Sequence, residues 1–334
     1  MNAQTSQIDD RTASVAEAVR QGLTAHPKRL PSWLFYDEAG SRLFEQITEL
    51  PEYYLTRTER GIFTLHAAEI IGRAAAGKHL RVAELGAGTA DKTQLLLQAA
   101  VELQGQVVYE PVDVSASALE AARERIEAGL PGVRVLPRVE DYTRGLVLSD
   151  SAECRLVLYI GSSIGNFDPA EAAELLSGVR RGLKPGDCLL LGVDLVKPES
   201  VLLPAYNDAA GVTAAFNLNL LERLNRELGA RFEISTFTHR ALWNSSAHCV
   251  EMHLFSPKSQ KISIDDLGLS VDFLAGESIH TENSYKYLPG QVEALLTQAG
   301  FEPEALWTDE QQWFAVHLAR VPGRLTAPGA QAGQ

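Results

Sequence analysis

The chain has 334 residues, 45% of them hydrophobic and 22% charged, and its 30 Lys and Arg stand against 43 Asp and Glu for a net charge of −13. At about 150 residues per domain, that length predicts two domains or one divided domain, and the apolar content excludes disorder as the main state. The acidic balance, with no cluster of Lys or Arg, argues against a nucleic-acid-binding face and for a small acidic enzyme.

The first ten residues and the last dozen, GRLTAPGAQAGQ, are expected to fray. The opening MNAQTSQIDD shows neither a basic nor an apolar signal region, and runs such as CLLLGVDLV are too short for a bilayer. Cys154, Cys188 and Cys249 are scattered and odd in number. Buried thiols in a reducing cytoplasm are therefore expected, not a disulfide framework. Residues 35–59 are dense in Tyr and Phe and are expected to fold over a pocket as a lid.

From residue 80 strands and helices alternate. LRVAEL (80–85) reads as a strand stopped by GAGT, and DKTQLLLQAA as a helix. QVVYEPVD (106–113) is a second strand, and Ser117 and Glu120 have capping-box spacing ahead of ALEAARERI. VRVLPR (133–138) and RLVLYI (155–160) follow, the latter unalternating, as for a strand buried on both faces. A helix near AEAAELLSGVRRGL and a fifth strand in CLLLGVDLV complete an α/β pattern with a parallel sheet.

The pattern breaks at Lys197 and Pro198. Phe216, Leu220, Leu221, Leu224 and Leu228 form a helical stripe ended by Gly229. RFEISTFTH, CVEMHLFS, KISID and LSVDF then read as an antiparallel meander. After residue 286 the α/β pattern resumes with a helix in GQVEALLTQAGF and strands in EALWTD and WFAVHLARV. Residues 198–286 are thus expected to be an insertion.

The loop E84-L-G-A-G-T-A90 follows a strand and precedes a helix, a setting in which glycines let backbone approach a ligand. Asp113 ends the next strand, where an acid can accept both hydroxyls of a ribose. The dinucleotide fingerprint would place a third Gly where Asp91 stands, and that carboxylate would meet a pyrophosphate. S-adenosylmethionine carries a sulfonium cation and no phosphate, so the acidic loop, with Glu84 beside it, suits it better. Asp141 and Tyr142 follow the third strand, where they can meet an adenine amino group and ring. An acid after each of three successive strands resembles the class I methyltransferases, with Ala90 a departure from their usual third Gly. Asn166, in GSSIGNF after the fourth strand, lies where an amide can donate to a ligand near the transferred methyl.

The runs FYDEAGSRLFEQITELPEYY, ELGAGTADKT, GSSIGNF, DLVKP, AYNDAAGVTAAFN, WNSSAHCVEM and TENSYKY, in order over nearly all of residues 20–321, resemble the histidine Nα-methyltransferases of ergothioneine biosynthesis. The resemblance implies trimethylation of the L-histidine α-amine by S-adenosylmethionine to give hercynine. It implies a Rossmann-like class I methyltransferase domain over 58–197 and 287–322. An inserted α+β substrate-binding domain or lid would comprise 15–57 and 198–286, with 323–334 a flexible tail. It assigns Glu84, Gly86, Gly88, Lys92, Asp113, Asp141 and Tyr142 to S-adenosylmethionine, with Lys92 reaching the methionyl carboxylate. Asn166 and Tyr206 would hold the substrate carboxylate, and Tyr36 would face the amine as the catalytic residue. Tyr53, Glu282 and Ser284 would read the imidazole, Met252 would line that pocket, and Phe44 would flank the methylated amine. Asn283 and Tyr285 depart from the residues of close family members.

No metal is expected: His239, His248 and His253 fall in the meander without ligand spacing, and no HExxH or paired Cys exists. The expected enzyme is a cytoplasmic monomer without nucleic-acid or membrane partners. Three rivals stay open: the same chemistry on another amino acid such as tryptophan, a dinucleotide oxidoreductase, and a non-catalytic module that binds S-adenosylmethionine.

Overall fold

The structure, a computed structural model, describes residues 14–88, 90–146, 148–149 and 151–323. The two fraying segments expected from the sequence, apart from Gly323, lie outside these residues. The chain divides into two compact units. One comprises Val196–Lys286 and the described residues up to Tyr54; the other comprises Leu55–Leu195 and the described residues from Tyr287 onward.

In chain order, helix α1 covers 14–24, strand β1 Lys28–Arg29, helix α2 Glu38–Thr48 and helix α3 Tyr54–Ala75. Then come β2 Leu80–Leu85, α4 Thr93–Gln104, β3 Val107–Asp113, α5 Ala116–Gly129, β4 Val133–Val135 and β5 Arg138–Val139. β6 is Cys154–Tyr159, α6 Pro169–Arg181, β7 Cys188–Asp194, α7 Glu199–Tyr206 and α8 Val212–Leu228. β8 is Thr238–Asn244, β9 Cys249–Phe255, β10 Gln260–Ile264, β11 Leu269–Phe273 and β12 Ser278–Tyr285. α9 Gln291–Gln298, β13 Glu302–Thr308 and β14 Phe314–Arg320 finish the chain.

The second unit is built on one sheet of order β13-β14-β7-β6-β2-β3-β4, with β5 also pairing β3. β2 through β7 run parallel, and β14 enters antiparallel to both β7 and β13. Every residue of β6 and β7 is buried, as expected for unalternating strands covered on both faces. Crossover helices supply that cover. α6 opens on a full capping box between Asp168 and Glu171, with Pro169 at its first position. Leu176 and Val179 of α6 join Leu189, Leu191 and Leu296 in the core.

Three details differ from the sequence reading. The cap of α5 is Ser115, which accepts from the Ala118 N–H, and Ser117 lies inside the helix. VRVLPR is split into β4 and β5, because Pro137 offers no N–H to a ladder. RFEISTFTH is not a strand: residues Ile234–Thr236 make a short 3-10 turn, and the strand starts at Thr238.

The first unit carries a four-stranded sheet of order β1-β12-β9-β8 and a β10-β11 hairpin. α8 lies on the sheet with Phe216, Leu220, Leu221, Leu224 and Leu228 buried, and Gly229 caps it in the left-handed conformation at φ 58°. β12 contains a bulge between His280 and Glu282. Ile279 faces Leu254 and His280 faces His253 before it; Glu282 faces Met252 and Ser284 faces Val250 after it. The extra residue, Thr281, moves Glu282 and Ser284 onto the buried face, where an unbroken strand would have aligned them with His280.

Candidate active site

In the second unit, Gly86 and Gly88 turn the chain out of β2 with φ of 67° and 49°, left-handed values that glycine adopts without strain. A Cβ on Gly86 would stand 3.4 Å from the Tyr142 hydroxyl, so the loop passes close under that ring. Asp113 ties the loop to the end of β3: it accepts from the Gly88 N–H at 3.2 Å and the Ser115 N–H at 2.9 Å. Asp141 accepts from the Thr143 N–H at 3.1 Å and hydroxyl at 2.6 Å, which fixes the turn bearing Tyr142. The Tyr142 ring meets Tyr159 edge-on at 5.8 Å, and burial pushes its phenol up to about 12. Glycine backbone, an acid and a neutral ring thus converge at the carboxyl ends of parallel strands, a donor set that fits a nucleoside.

Glu84 sits lower than the sequence implies. It is buried, accepts hydrogen bonds from Thr93 at 2.7 Å and from Tyr109, and burial raises it to about 7. It braces the loop against α4 and β3. Lys92 stands just before the first residue of α4, where an anion is favoured; its side chain makes no capping bond and pairs with Glu59. Glu59 is completely buried and accepts from the Gly161 N–H at 2.8 and 3.0 Å. Nothing near residue 59 in the sequence singles it out. Beyond β6, Ser162 is left-handed at φ 61° and its hydroxyl accepts from the Asp194 N–H at 2.9 Å. That bond holds a conformation costly for a non-glycine residue and sets up the turn Ser163–Asn166, at whose end Asn166 is half-buried.

In the first unit, the bulge in β12 brings together residues that the resemblance assigns to the acceptor. The Tyr206 and Ser284 hydroxyls lie 2.8 Å apart, and Lys286 donates to both, at 2.6 and 2.7 Å. Residues that the resemblance gives to the carboxylate end and to the imidazole end therefore share one cluster. Lys286 was not foreseen, although it follows β12 directly, two residues beyond Ser284. His239 supports Tyr206 from behind: it bonds the Tyr206 carbonyl at 2.8 Å and Asn217 at 2.9 Å. Burial lowers its pKa and keeps it neutral, as a ring between one donor and one acceptor must be.

Aromatic rings connect the remaining residues. Tyr36 meets Phe44 edge-on at 5.8 Å, Phe44 meets Tyr53 at 6.3 Å, and Tyr53 meets Tyr206 at 6.4 Å. Phe216 of α8 closes the group, 6.0 Å from both Tyr36 and Phe44. It read in the sequence only as part of a core stripe. Asp37 anchors Tyr36's backbone by capping α2 through the Gly40 N–H at 2.7 Å and accepting from Asn219 at 2.9 Å. Burial works to raise its pKa, but those bonds and Arg226 outweigh it and hold the carboxyl below its ordinary value.

Glu282 is half-buried, and desolvation pushes it up to about 8, partly opposed by the Lys286 charge. A carboxyl so perturbed and facing Met252 is poised to share a proton with a nitrogen base. Strand alternation places Asn283 and Tyr285 on the other face, opposite Glu251 and Cys249.

Of the histidines weighed as metal ligands, His239 is spent on Tyr206 and His253 lies on the outward face of the β9–β12 pair with Glu251 and His280. All three thiols are free and buried. Among the described residues, no helix is long and apolar enough to cross a membrane.

The sheet order, with β14 reversed, and the nucleoside-fitting loop define a Rossmann-like class I S-adenosylmethionine-dependent methyltransferase. More narrowly, the chain belongs to the family of S-adenosylmethionine-dependent, histidine-specific methyltransferases, whose model matches residues 15–321. It is 46% identical to the histidine N-alpha-methyltransferase of Mycolicibacterium smegmatis over 93% of this chain and 96% of that protein. It is 42% identical to the protein of the same name in Mycobacterium tuberculosis, over 90% of this chain and 93% of that one. The match to ergothioneine biosynthesis protein 1 of Neurospora crassa is 32% over 87% of this chain and 33% of the longer protein.

Proposed function

We propose that this protein transfers three methyl groups from S-adenosylmethionine to the α-amine of L-histidine, giving hercynine, the first step of ergothioneine biosynthesis. The observation that carries the substrate is the β12 bulge, which turns Glu282 and Ser284 to the face of Met252 beside Tyr206 and Lys286. A carboxyl and a hydroxyl there can serve the two imidazole nitrogens; an indole would leave the carboxyl poorly paired, at a cost of about 1–3 kcal/mol.

The sulfonium supplies an already activated methyl group, so the reading needs no metal for the transfer itself. The protein's work is to hold and orient. Gly86, Gly88, Asp113, Asp141 and Tyr142 bind the nucleoside; Lys92 takes the methionyl carboxylate; Asn166 and Tyr206 take the substrate carboxylate. The amine must be neutral to attack in line. The Tyr36 hydroxyl orients its lone pair, and water accepts each proton that leaves. Faces of Tyr36 and Phe44 tolerate the quaternary ammonium product by cation–π attraction. The same reading takes the enzyme as a cytoplasmic monomer acting on a free amino acid, consistent with its acidic charge.

Tyr36→Phe is expected to lower the methylation rate by at least about tenfold, within the range of a positioned proton-handling group, at unchanged S-adenosylmethionine affinity. Single-turnover kinetics with histidine and with its mono- and dimethyl forms would check it. The proposal itself is tested by mass spectrometry of the protein with S-adenosylmethionine and a panel of free amino acids. Histidine gaining three methyl groups, none on the imidazole, supports it. Preference for tryptophan overturns the substrate, and cofactor binding without any turnover overturns catalysis.

A further inference from the structure

On the outward face of the first unit's sheet, away from Glu282 and Ser284, three potential ligands meet. Glu251 and His253 are two residues apart on β9 and so share a face. His280 of β12 stands directly across from His253 in the ladder. One ligand atom from each lies within 4.8 Å of the others. Two imidazoles and a carboxylate are the donor set of open zinc sites.

Each group is also oriented from outside the cluster. Asn244 donates to Glu251 Oε1 at 2.8 Å, leaving Oε2, which lies 3.1 Å from His253 Nε2. Ser278 lies 3.3 Å from His253 Nδ1, so that ring presents Nε2. His280 Nε2 rests 3.0 Å from the Glu282 carbonyl, so that ring presents Nδ1. An outer hydrogen bond on the distal atom of each ligand is the arrangement that fixes tautomers at metal sites. The two imidazoles are stacked at 4.9 Å. Across the strand from His253, Arg240 lays its guanidinium over the Phe255 ring, 4.6 Å from its centroid.

We propose that Glu251, His253 and His280 form a binding site for one divalent transition-metal ion of the zinc class. Tetrahedral ligation at zinc–nitrogen distances of about 2.0 Å needs ligand atoms about 3.3 Å apart. Small side-chain rotations close the remaining gap, and water completes the shell. The site does not depend on the methyl-transfer reading. Its His280 ligand bonds the backbone of Glu282, so an occupied site would stiffen the bulge that aims the acceptor carboxyl.

The test uses the untagged full-length protein without histidine or S-adenosylmethionine. Zinc is titrated in competition with a chromogenic chelator, and cobalt(II) is added separately while its visible spectrum is followed. The expected result is one ion per chain, an intense four-coordinate cobalt band, and at least a tenfold loss of affinity in both His253→Gln and His280→Gln. Thermal melts confirm that the variants remain folded. Zinc bound as tightly by both variants, or no binding by the folded wild type at micromolar metal, overturns the proposal. Should His280→Gln not fold, His253→Gln and Ser278→Ala decide it: unchanged affinity in both counts against the site.

Discussion

Glu282→Ala is expected to cut kcat/KM for histidine by about 30- to 150-fold, the equivalent of roughly 2–3 kcal/mol for a hydrogen bond with a charged partner. Affinity for S-adenosylmethionine should not move, because that ligand is assigned to the other unit. Discrimination against tryptophan should shrink by a similar factor, since the indole loses nothing. Equal losses for both amino acids would mean that Glu282 supports the fold and does not read the ring. Its titration offers an independent check. Burial raises Glu282 from an ordinary value of 4.5 to about 8. A carboxyl raised on folding contributes stability below its unfolded value and loses it as pH rises through the folded one. In the ligand-free protein, Glu282→Gln should therefore gain melting temperature relative to wild type between pH 5 and about pH 9. A constant difference across that window would contradict the burial.

Gly192→Ala is expected to destabilise the protein by about 3 kcal/mol or more, beyond the usual range for a single added methyl in a packed interior. The new Cβ would lie 2.1 Å from Glu59 Oε1, 3.2 Å from the Phe314 ring and 3.3 Å from the Ile160 backbone. Glu59 cannot yield cheaply. It is fully buried, and moving it strips the Gly161 N–H and the Lys92 ammonium of their partner. The loss should appear in thermal melts and also as weaker S-adenosylmethionine binding, because Lys92 would be released. A double-mutant cycle separates the causes: in the Glu59→Ala background, Gly192→Ala should cost far less. Additive effects would place the strain at Phe314 or Ile160.

The sequence showed the parallel sheet well, because β6 and β7 lie in near-continuous apolar runs, and β2 and β6 are followed by the glycine-bearing turns GAGT and GSSIGN. It showed β12 poorly. SIHTENSY has no hydrophobic alternation, and its bulge is defined only by pairing with β9, which no local pattern records. For that reason the resemblance could supply Glu282 and Ser284 as residues without supplying the backbone step that lets both face inward. Lys286, Phe216 and His239 were hidden for a related reason. Each acts through a partner distant in sequence, and each has an ordinary role by pattern alone: a strand-end cation, a core ring, a meander histidine. The Glu251–His253–His280 cluster escaped a search for ligand spacing because one of its members comes from a neighbouring strand. Capping at Ser115 in place of Ser117 is a local miss, where two serines compete and Asp113 settles the choice by holding the Ser115 N–H at 2.9 Å.

The polypeptide passes between its two units at residues 54/55, 195/196 and 286/287. During synthesis, therefore, neither unit can be finished before the other has begun. β12, which joins β1 to β9, emerges only near residue 285, and β14, which inserts between β7 and β13, only near residue 320. Until then β7, apolar from Cys188 to Val193 and buried along its whole length in the finished fold, has a ladder edge with no neighbour. The nascent chain must keep that edge from pairing with other chains while about two fifths of the protein is still to be made, a hazard typical of late-closing sheets. Translation rate and chaperone supply should limit yield more severely for this connectivity than for two units laid end to end.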